Sequence, residues 1–193
     1  MAIKKLIEVA LPLEAINKAC AREKSIRQGH PSSLHIWWAR RPLAAARAVI
    51  WASLVDDPSS HPEDFPSEES QNKERERLFS ILEKLVIWEN SSDKEILNKA
   101  KLEIRKYNNG NIPELLDPFA GGGAIPLEGQ RLGLKVSGHD LNPIPVMINK
   151  AMVEYPAIFQ NCPPINPDAN IQLCGTEGYS NFSGIAEDVV FLW

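Results

Sequence analysis

The sequence predicts an α/β protein in which a helical N-terminal segment precedes the beginning of a parallel sheet. Three observations support this fold class. Apolar residues recur at helical spacing through the first 55 residues, and two charged amphipathic stretches follow a Pro- and Ser-rich segment. From Ile112 onward, short apolar runs alternate with helical patterns. The order strand, helix, strand, helix is how a parallel α/β sheet begins.

The composition indicates a soluble globular chain. Its 193 residues are 44% hydrophobic and 24% charged, which is enough for one domain with a real core. No apolar run reaches the roughly 18 residues of a membrane helix, so we expect no membrane partner. The three cysteines are too widely spaced for a disulfide framework or a zinc site, and a reducing, cytoplasmic location fits them: Cys20, Cys162 and Cys174.

Charge is unevenly distributed along the chain, whose formal net charge is −4. Residues 1–50 carry nine Lys/Arg and three Asp/Glu, whereas residues 51–110 carry nine and thirteen, and residues 111–193 carry three and nine. The basic N-terminal part could face a polyanion. From charge alone, an ordinary solvated helix face is the favoured interpretation.

The predicted N-terminal helical domain covers residues 1–58. Pro12 suits a first helical turn, and apolar residues recur after it at helical spacing. A loop is expected around residues 28–33, which include Gly29 and Pro31. A second helix is expected from about Pro42, where an Ala-rich run has high helix propensity.

Residues 59–110 are predicted to form a charged helical insert or linker without chemistry of its own. The stretch Asp56–Ser70 is rich in Pro, Ser and acids and is expected to be exposed or mobile. Two amphipathic helices should follow, with these apolar positions: Leu78, Ile81, Leu82, Leu85 and then Ile96, Leu97, Ala100, Ile104.

Residues 111–156 are predicted to hold the sheet. "IPELLD" and "KVSGHD" are the expected strands, "AIPLEGQRLGL" is a helix closed near Gly133, and "PIPVMINKAMVEY" is a helix stopped by Pro156. Residues 157–193 show little periodicity and are expected to be an irregular C-terminal segment.

The carboxyl ends of the two predicted strands carry the candidate cofactor site. Ligands of open parallel sheets bind beyond these ends, and here they bear Asp117 and Asp140. Gly121, Gly122 and Gly123 lie in the first strand-to-helix turn, where glycine allows a ligand to approach the backbone. Asp140 follows Asp117 by 23 residues, near the usual spacing to an acid that binds ribose hydroxyls.

The acid before the glycines favours S-adenosylmethionine (SAM) over a nucleotide phosphate. A phosphate cradle needs bare amides without a nearby anion, whereas Asp117 would attract the ammonium group of SAM. The dinucleotide pattern G-x-G-x-x-G is broken by Pro126, and no G-K-[ST] is present. The competing interpretation, a tight turn with both acids as helix caps, explains less of the combined pattern.

Three stretches resemble known proteins. "DPFAGGG" and "GHDLNP" resemble the SAM-binding motifs of amino-methylating DNA methyltransferases. The N-terminal stretch from "LIEVALPLEAINKAC" through "SSLHIWWARRPLAAARAVIWASLVDDP" resembles the opening of a prokaryotic family of large adenine-specific DNA methylases, which begin with a domain of unknown function.

The resemblance implies the start of a Rossmann-like SAM-dependent methyltransferase sheet, incomplete here, with DNA as partner. Asp117 would take the methionine ammonium, Asp140 the ribose hydroxyls, and Leu141 and Asn142 would flank the adenine. The expected cofactor-binding residues are Asp117, Pro118, Phe119, Ala120, Gly121, Gly122, Gly123, Asp140, Leu141 and Asn142.

The stretch "HPSSLHIWWARRP" is the candidate nucleic-acid surface, through Trp37, Arg40 and Arg41. It could instead fold back over the SAM pocket. At least one of Trp37 and Trp38 is expected to pack in the core, because adjacent side chains point different ways. The two histidines of the stretch have no third ligand in sight, so no metal site is expected.

No catalytic residue is predicted. Enzymes of this type need Asp, Asn or Ser before Pro-Pro and an aromatic residue, which together hold the flipped base. The one Pro-Pro pair lies between Cys162 and Ile165, which are unsuited to both roles. We therefore expect the SAM-binding N-terminal portion of a DNA (adenine-N6) methyltransferase, inactive alone or completed by a second chain. A methyltransferase for RNA or protein, or a non-catalytic SAM- or DNA-binding module, are the alternatives.

Overall fold

The computed structural model describes residues 3–27, 29–31, 35, 37–166 and 182–191. Its α-helices are α1 (Leu6–Val9), α2 (Leu13–Glu23), α3 (Leu43–Leu54), α4 (Glu68–Val86), α5 (Lys94–Lys106), α6 (Ala124–Arg131), α7 (Pro143–Asn149), α8 (Tyr155–Ile158) and α9 (Ser183–Phe191). The strands are β1 (Glu114–Asp117) and β2 (Lys135–Gly138). The described part is thus mostly helical, with a small parallel sheet, and none of its helices combines the length and apolar character that crossing a membrane requires.

The N-terminal helices form where the sequence predicts them. Pro12 and Pro42 directly precede α2 and α3, where a residue without an amide hydrogen costs no helical hydrogen bond. The start of the chain is fixed to the end of α3, because the Leu6 amide donates to the Val55 carbonyl oxygen at 2.9 Å.

One core joins the N-terminal helices to α4 and α5. Trp51 of α3 is fully buried, and its indole N–H donates to the Ala100 carbonyl oxygen of α5 at 3.1 Å. Leu78 and Leu82 of α4 are also fully buried in this core. Residues 59–110 therefore contribute packing as well as charge, and the core continues across the expected boundary at residue 58.

The segment Asp56–Ser70 is only partly exposed, so the sequence prediction is wrong at its beginning. Asp56, Asp57 and Pro58 are buried, because both carboxylates find cationic partners. Asp56 lies 2.6 Å from the ammonium nitrogen of Lys5. Asp57 accepts two hydrogen bonds of 2.9 Å from the guanidinium of Arg75 on α4.

The sheet pairs β1 with β2 in parallel, with Leu115 opposite Val136 and Asp117 opposite Gly138. Leu115 and Val136 pack against the helical core, whereas Leu116 is 65% exposed on the other face. The expected strands are confirmed, and among the described residues the sheet has only these two. A parallel sheet is normally covered on both faces, so one face of β1 is left open here.

The helix after β2 does not stop at Pro156 as the sequence predicts. A π-helical turn over Lys150–Glu154 separates α7 from α8, which contains Pro156 in its first turn. A wider turn just before proline reduces the clash between its ring and the preceding helical turn. The later helix α9 lies in the segment for which the sequence predicts no regular structure.

Candidate functional site at the glycine-rich turn

Asp117 ends β1 at the base of the glycine-rich turn. Its side chain is 8% exposed, and one carboxylate oxygen accepts a hydrogen bond of 3.1 Å from the Phe119 amide. A carboxylate can accept about four hydrogen bonds, so this bond leaves capacity for a ligand donor. Asp117 therefore lies where the sequence predicts an acid beside the turn.

Asp140 reaches the same turn from the end of β2. One carboxylate oxygen accepts from the Gly121 amide at 3.0 Å, and the other accepts from the Asn142 amide at 3.0 Å. These two backbone hydrogen bonds, the Asn142 one first, hold the pKa of Asp140 below its ordinary value. The two predicted acids thus flank one turn, as parallel pairing of their strands requires.

Asn149 of α7 holds the glycine-rich turn in place by hydrogen bonding. It is not among the site residues predicted from the sequence. Its side-chain amide donates to the Gly121 carbonyl oxygen at 3.0 Å and to the Pro145 carbonyl oxygen at 2.8 Å. Gly123 has φ +78°, and a Cβ there would lie 2.8 Å from the Asn149 side-chain oxygen. A single polar residue in the otherwise apolar "PVMIN" stretch is the signal that could have identified it.

The segment around Trp37 folds back over the turn, which is the alternative considered from the sequence. A Cβ on Gly121 would lie 2.9 Å from the indole nitrogen of Trp37, and one on Gly122 would lie 3.5 Å from Nε2 of His35. Trp38 is 97% exposed. Neither tryptophan is a core residue, because Trp37 is half-buried on the turn and Trp38 faces solvent.

A cavity of about 270 Å³ lies between this segment and the turn. Asp117, Phe119 and Gly121 line one side, and Trp37, Arg40 and other residues of the N-terminal part line the other. Asp140 instead lines the adjoining groove, and Ala120 borders both spaces. The expected cofactor and nucleic-acid residues therefore meet at one cavity.

The remaining predicted residues lie at the rim of the sheet. Leu141 is 95% exposed, and the side-chain oxygen of Asn142 accepts from the Ile144 amide at 3.0 Å as the cap of α7. Pro118 and Phe119 are exposed beside Asp117. The carboxamide of Asn142 is thus already engaged by the protein.

A buried ion pair holds α6, the helix that follows the turn, against α3. Arg47 of α3 donates two hydrogen bonds to the carboxylate of Glu128 on α6, and both side chains are fully buried. Arg47 also donates to the Leu85 carbonyl oxygen, and Arg131 also pairs with Glu128. The sequence analysis did not single out these residues, because charged residues on predicted helices are ordinarily exposed.

Three side chains come together as a possible metal-ligating group. Ligand atoms of His61, Glu63 and Asp64 lie within 4.8 Å of one another. His61 Nε2 is hydrogen-bonded to Asp56 at 2.9 Å, and both acids of the group are exposed. Both ring nitrogens of His61 are engaged, by Asp56 and by Glu63, so we assign no metal to this group.

The Asp117 side of the cavity suits an ammonium group better than a phosphate, whereas Arg40 and Arg41 on the other side suit an anionic group. The buried carboxylate of Asp117 offers acceptors for an ammonium group, and the turn amide of Gly121 already donates to Asp140. A phosphate would need such amides unengaged. The residues present therefore fit the methionyl end of SAM.

Comparison with known proteins finds a match for part of the chain only. No curated protein and no solved structure matches it. Residues 10–81 match the family model DUF1156, described as a protein of unknown function. The matched segment includes α2, α3 and most of α4, together with the residues that cover the glycine-rich turn.

Proposed function

We propose that this chain binds SAM at the glycine-rich turn and serves as the cofactor-holding part of a DNA (adenine-N6) methyltransferase. One observation carries the proposal. Asp117 ends β1, and Asp140 follows the end of its parallel partner β2 by two residues. The two acids flank a turn whose glycines are closely approached by Trp37 and Asn149.

The proposed roles follow from where each side chain lies. Asp117 binds the ammonium group inside the cavity, and Asp140 accepts ribose hydroxyls in the adjoining groove. SAM supplies an activated methyl group when bound. Trp37 and His35 limit access of water to the cavity, because they lie directly over Gly121 and Gly122.

DNA as the substrate rests on the resemblance of "DPFAGGG" and of the N-terminal stretch to adenine-specific DNA methylases. Arg40 and Arg41 at the cavity are consistent with an anionic substrate. An RNA or protein methyltransferase would use the same cofactor geometry.

The base that accepts the methyl group would be bound by a companion polypeptide segment. The sequence offers Cys-Pro-Pro-Ile where a methylase of this type has a polar residue, Pro-Pro and an aromatic. The exposed Leu116 face of β1 is a surface against which further sheet structure could pack. A SAM- or DNA-binding module without catalysis is the second candidate, and the same missing motif favours it.

Calorimetric titration of the purified chain with SAM, ATP and NAD⁺ tests the cofactor assignment. We expect SAM to bind and ATP and NAD⁺ to displace it poorly, since Asp117 repels phosphate at this site. Displacement of bound SAM by ATP or NAD⁺ at concentrations below that of SAM would overturn the assignment.

Methyl transfer from labelled SAM to unmethylated DNA tests the companion requirement. We expect no incorporation by this chain alone, because its sequence lacks Asp, Asn or Ser followed by Pro-Pro and an aromatic residue. Incorporation at a rate ordinary for an enzyme would show that the chain holds its own acceptor site.

A further inference from the structure

A second groove adjoins the cavity on the side of the N-terminal helices. It has a volume of about 460 Å³ and shares three lining residues with the cavity, His30, Arg40 and Arg41. Its other walls come from the end of α2 and the residues after it: Cys20, Glu23, Lys24, Ile26, Arg27 and Pro42. The groove thus leads directly to the glycine-rich turn.

The groove is strongly cationic. Lys24, Arg27, Arg40 and Arg41 are all exposed there. The one carboxylate, Glu23, is buried and accepts hydrogen bonds from the Leu43 and Ala44 amides at 2.8 and 2.9 Å. Burial raises the pKa of Glu23, and its two carboxylate oxygens face the amides at the start of α3.

Three other basic residues of the N-terminal part are engaged by acids. Lys5 pairs with Asp56, Arg22 with Glu89, and Arg47 with Glu128. Lys24, Arg27 and Arg41 are exposed together in the groove and form a local positive surface on a chain whose net charge is −4. Such a surface attracts polyanions even though the net charge of the protein is negative.

An exposed aromatic residue adjoins these cations in sequence. Trp38 is 97% exposed and lies two residues before Arg40. Burying an indole is favourable, and a surface indole beside cations is the arrangement that stacks on bases of unpaired nucleic acid. Trp37 cannot take this role, because its ring lies on the glycine-rich turn.

We propose that this groove binds the phosphate backbone of a nucleic-acid strand through Lys24, Arg27 and Arg41, and that Trp38 stacks on an unpaired base. The inference deepens the proposed function and rests on it for the identity of the neighbouring cavity. It extends the interface beyond the residues that line the cavity and replaces Trp37 by Trp38 as the stacking residue.

Binding of a fluorescein-labelled oligothymidylate, followed by anisotropy without SAM, tests the backbone contacts. The double variant Lys24→Ala/Arg27→Ala should weaken binding at least about tenfold at low salt. The slope of log affinity against log salt should fall by about 1.4, since each lost phosphate contact on a single strand removes about 0.7.

The matched control removes the same charge elsewhere. Lys73→Ala/Lys94→Ala changes two exposed lysines on α4 and α5, outside the groove lining. This pair should leave affinity nearly unchanged. Equal losses in the two double variants would overturn the groove as the site, because only net charge would then matter.

Trp38→Ala tests stacking separately from charge. It should weaken oligothymidylate binding at least about fivefold and leave calorimetric binding of inorganic polyphosphate unchanged, whereas Trp38→Phe should retain most of the affinity. Unchanged oligothymidylate binding in Trp38→Ala would overturn the stacking role.

The two proposals fail independently. Lys24 and Arg27 do not line the cavity, so their double variant should bind SAM as the wild type does. If the wild type binds the oligonucleotide but not SAM, the proposed function fails and the groove stands. If it binds SAM but no oligonucleotide, the groove fails alone.

Discussion

The buried pair of Arg47 and Glu128 ties the family-matched segment to the helix after the glycine-rich turn. Both charges are fully removed from water, and the hydrogen bonds of Arg47 to Glu128 and to the Leu85 carbonyl oxygen compensate for their desolvation. Losing one partner of such a pair is costly, because the other charge stays buried.

Arg47→Met should lower the free energy of unfolding by about 3 kcal/mol, since Glu128 would then keep only Arg131. Urea denaturation followed by circular dichroism measures the change. Arg77→Met is the control, because Arg77 pairs with Glu74 and Glu103 in a half-exposed cluster, where a loss under about 1 kcal/mol is expected. Equal losses in both variants would contradict the dependence on burial.

Asp57 should make stability sensitive to acid. Burial by itself would raise the pKa of Asp57, but hydrogen bonds from Arg75 and Ser59 outweigh burial and hold it below the ordinary value. The ionised form therefore stabilises the fold fully above the unfolded pKa of about 3.8. This stabilisation is lost as pH falls through the lower folded pKa.

Asp57→Asn should therefore cost about 1–3 kcal/mol near pH 7, and its difference from the wild type should shrink below pH 3.8. Denaturation curves between pH 7 and pH 3 measure this. Asp64→Asn, at an exposed position, should change stability by less than about 0.5 kcal/mol at pH 7. If the loss in the free energy of unfolding caused by Asp57→Asn grew as the pH fell, it would contradict a lowered pKa of Asp57 in the folded protein.

At the scale of elements, the turn between β1 and α6 is specified by backbone conformation as well as by space. Gly123 has φ +78° and precedes α6. The sequence identified this turn from its glycines, but the contacts of Asn149 and Trp37 with it depend on how segments apart from the turn in the chain pack against it.

Gly123→Ala should destabilise the protein more than Gly110→Ala does. Both glycines have φ +78°, so each substitution carries backbone strain of about 1–2 kcal/mol. Only at Gly123 would the new Cβ meet the Asn149 oxygen, at 2.8 Å, whereas nothing lies within 4 Å at Gly110. We expect an additional loss of at least about 1 kcal/mol in thermal or urea denaturation. Equal losses would show that Asn149 does not confine the turn.

At the scale of the whole molecule, the helices that the sequence describes as an insert build much of the core. Leu82 of α4 is fully buried with Trp51 and Ile104. Their helical periodicity was visible in the sequence, but the partner that their apolar faces cover was not. Periodicity indicates which face of a helix is buried. The element that covers this face is determined by long-range packing.

Leu82→Ala should lower the free energy of unfolding by about 2–5 kcal/mol, as a cavity forms in that core. Leu102→Ala on α5 is the control, because this leucine is exposed and its loss should change stability by less than about 0.5 kcal/mol. A small effect of Leu82→Ala would indicate that α4 is the spacer that the sequence predicts.

The fold was predictable from sequence wherever one local signal sufficed. The two strands, the prolines before α2 and α3, and the glycine-rich turn all carry such signals. The burial of Asp57, the exposure of Trp38 and the helical turn containing Pro156 depend on distant partners or on a local π-helical turn. The site was predictable to the same extent. Its two acids, Asp117 and Asp140, were evident from the sequence, whereas the packing of the Trp37 segment over the turn was only one of two alternatives.

The most direct test of the central claim is calorimetric SAM binding by Asp117→Ala, with Glu114→Ala as control. Glu114 lies on the same strand, but it is exposed and paired with Lys135 at the surface. We expect Asp117→Ala to weaken SAM binding at least about tenfold, a loss of about 1.4 kcal/mol, and Asp140→Ala to weaken it as well. Glu114→Ala should bind SAM as the wild type does. Wild-type affinity in a folded Asp117→Ala protein would contradict the claim that this carboxylate holds the methyl donor.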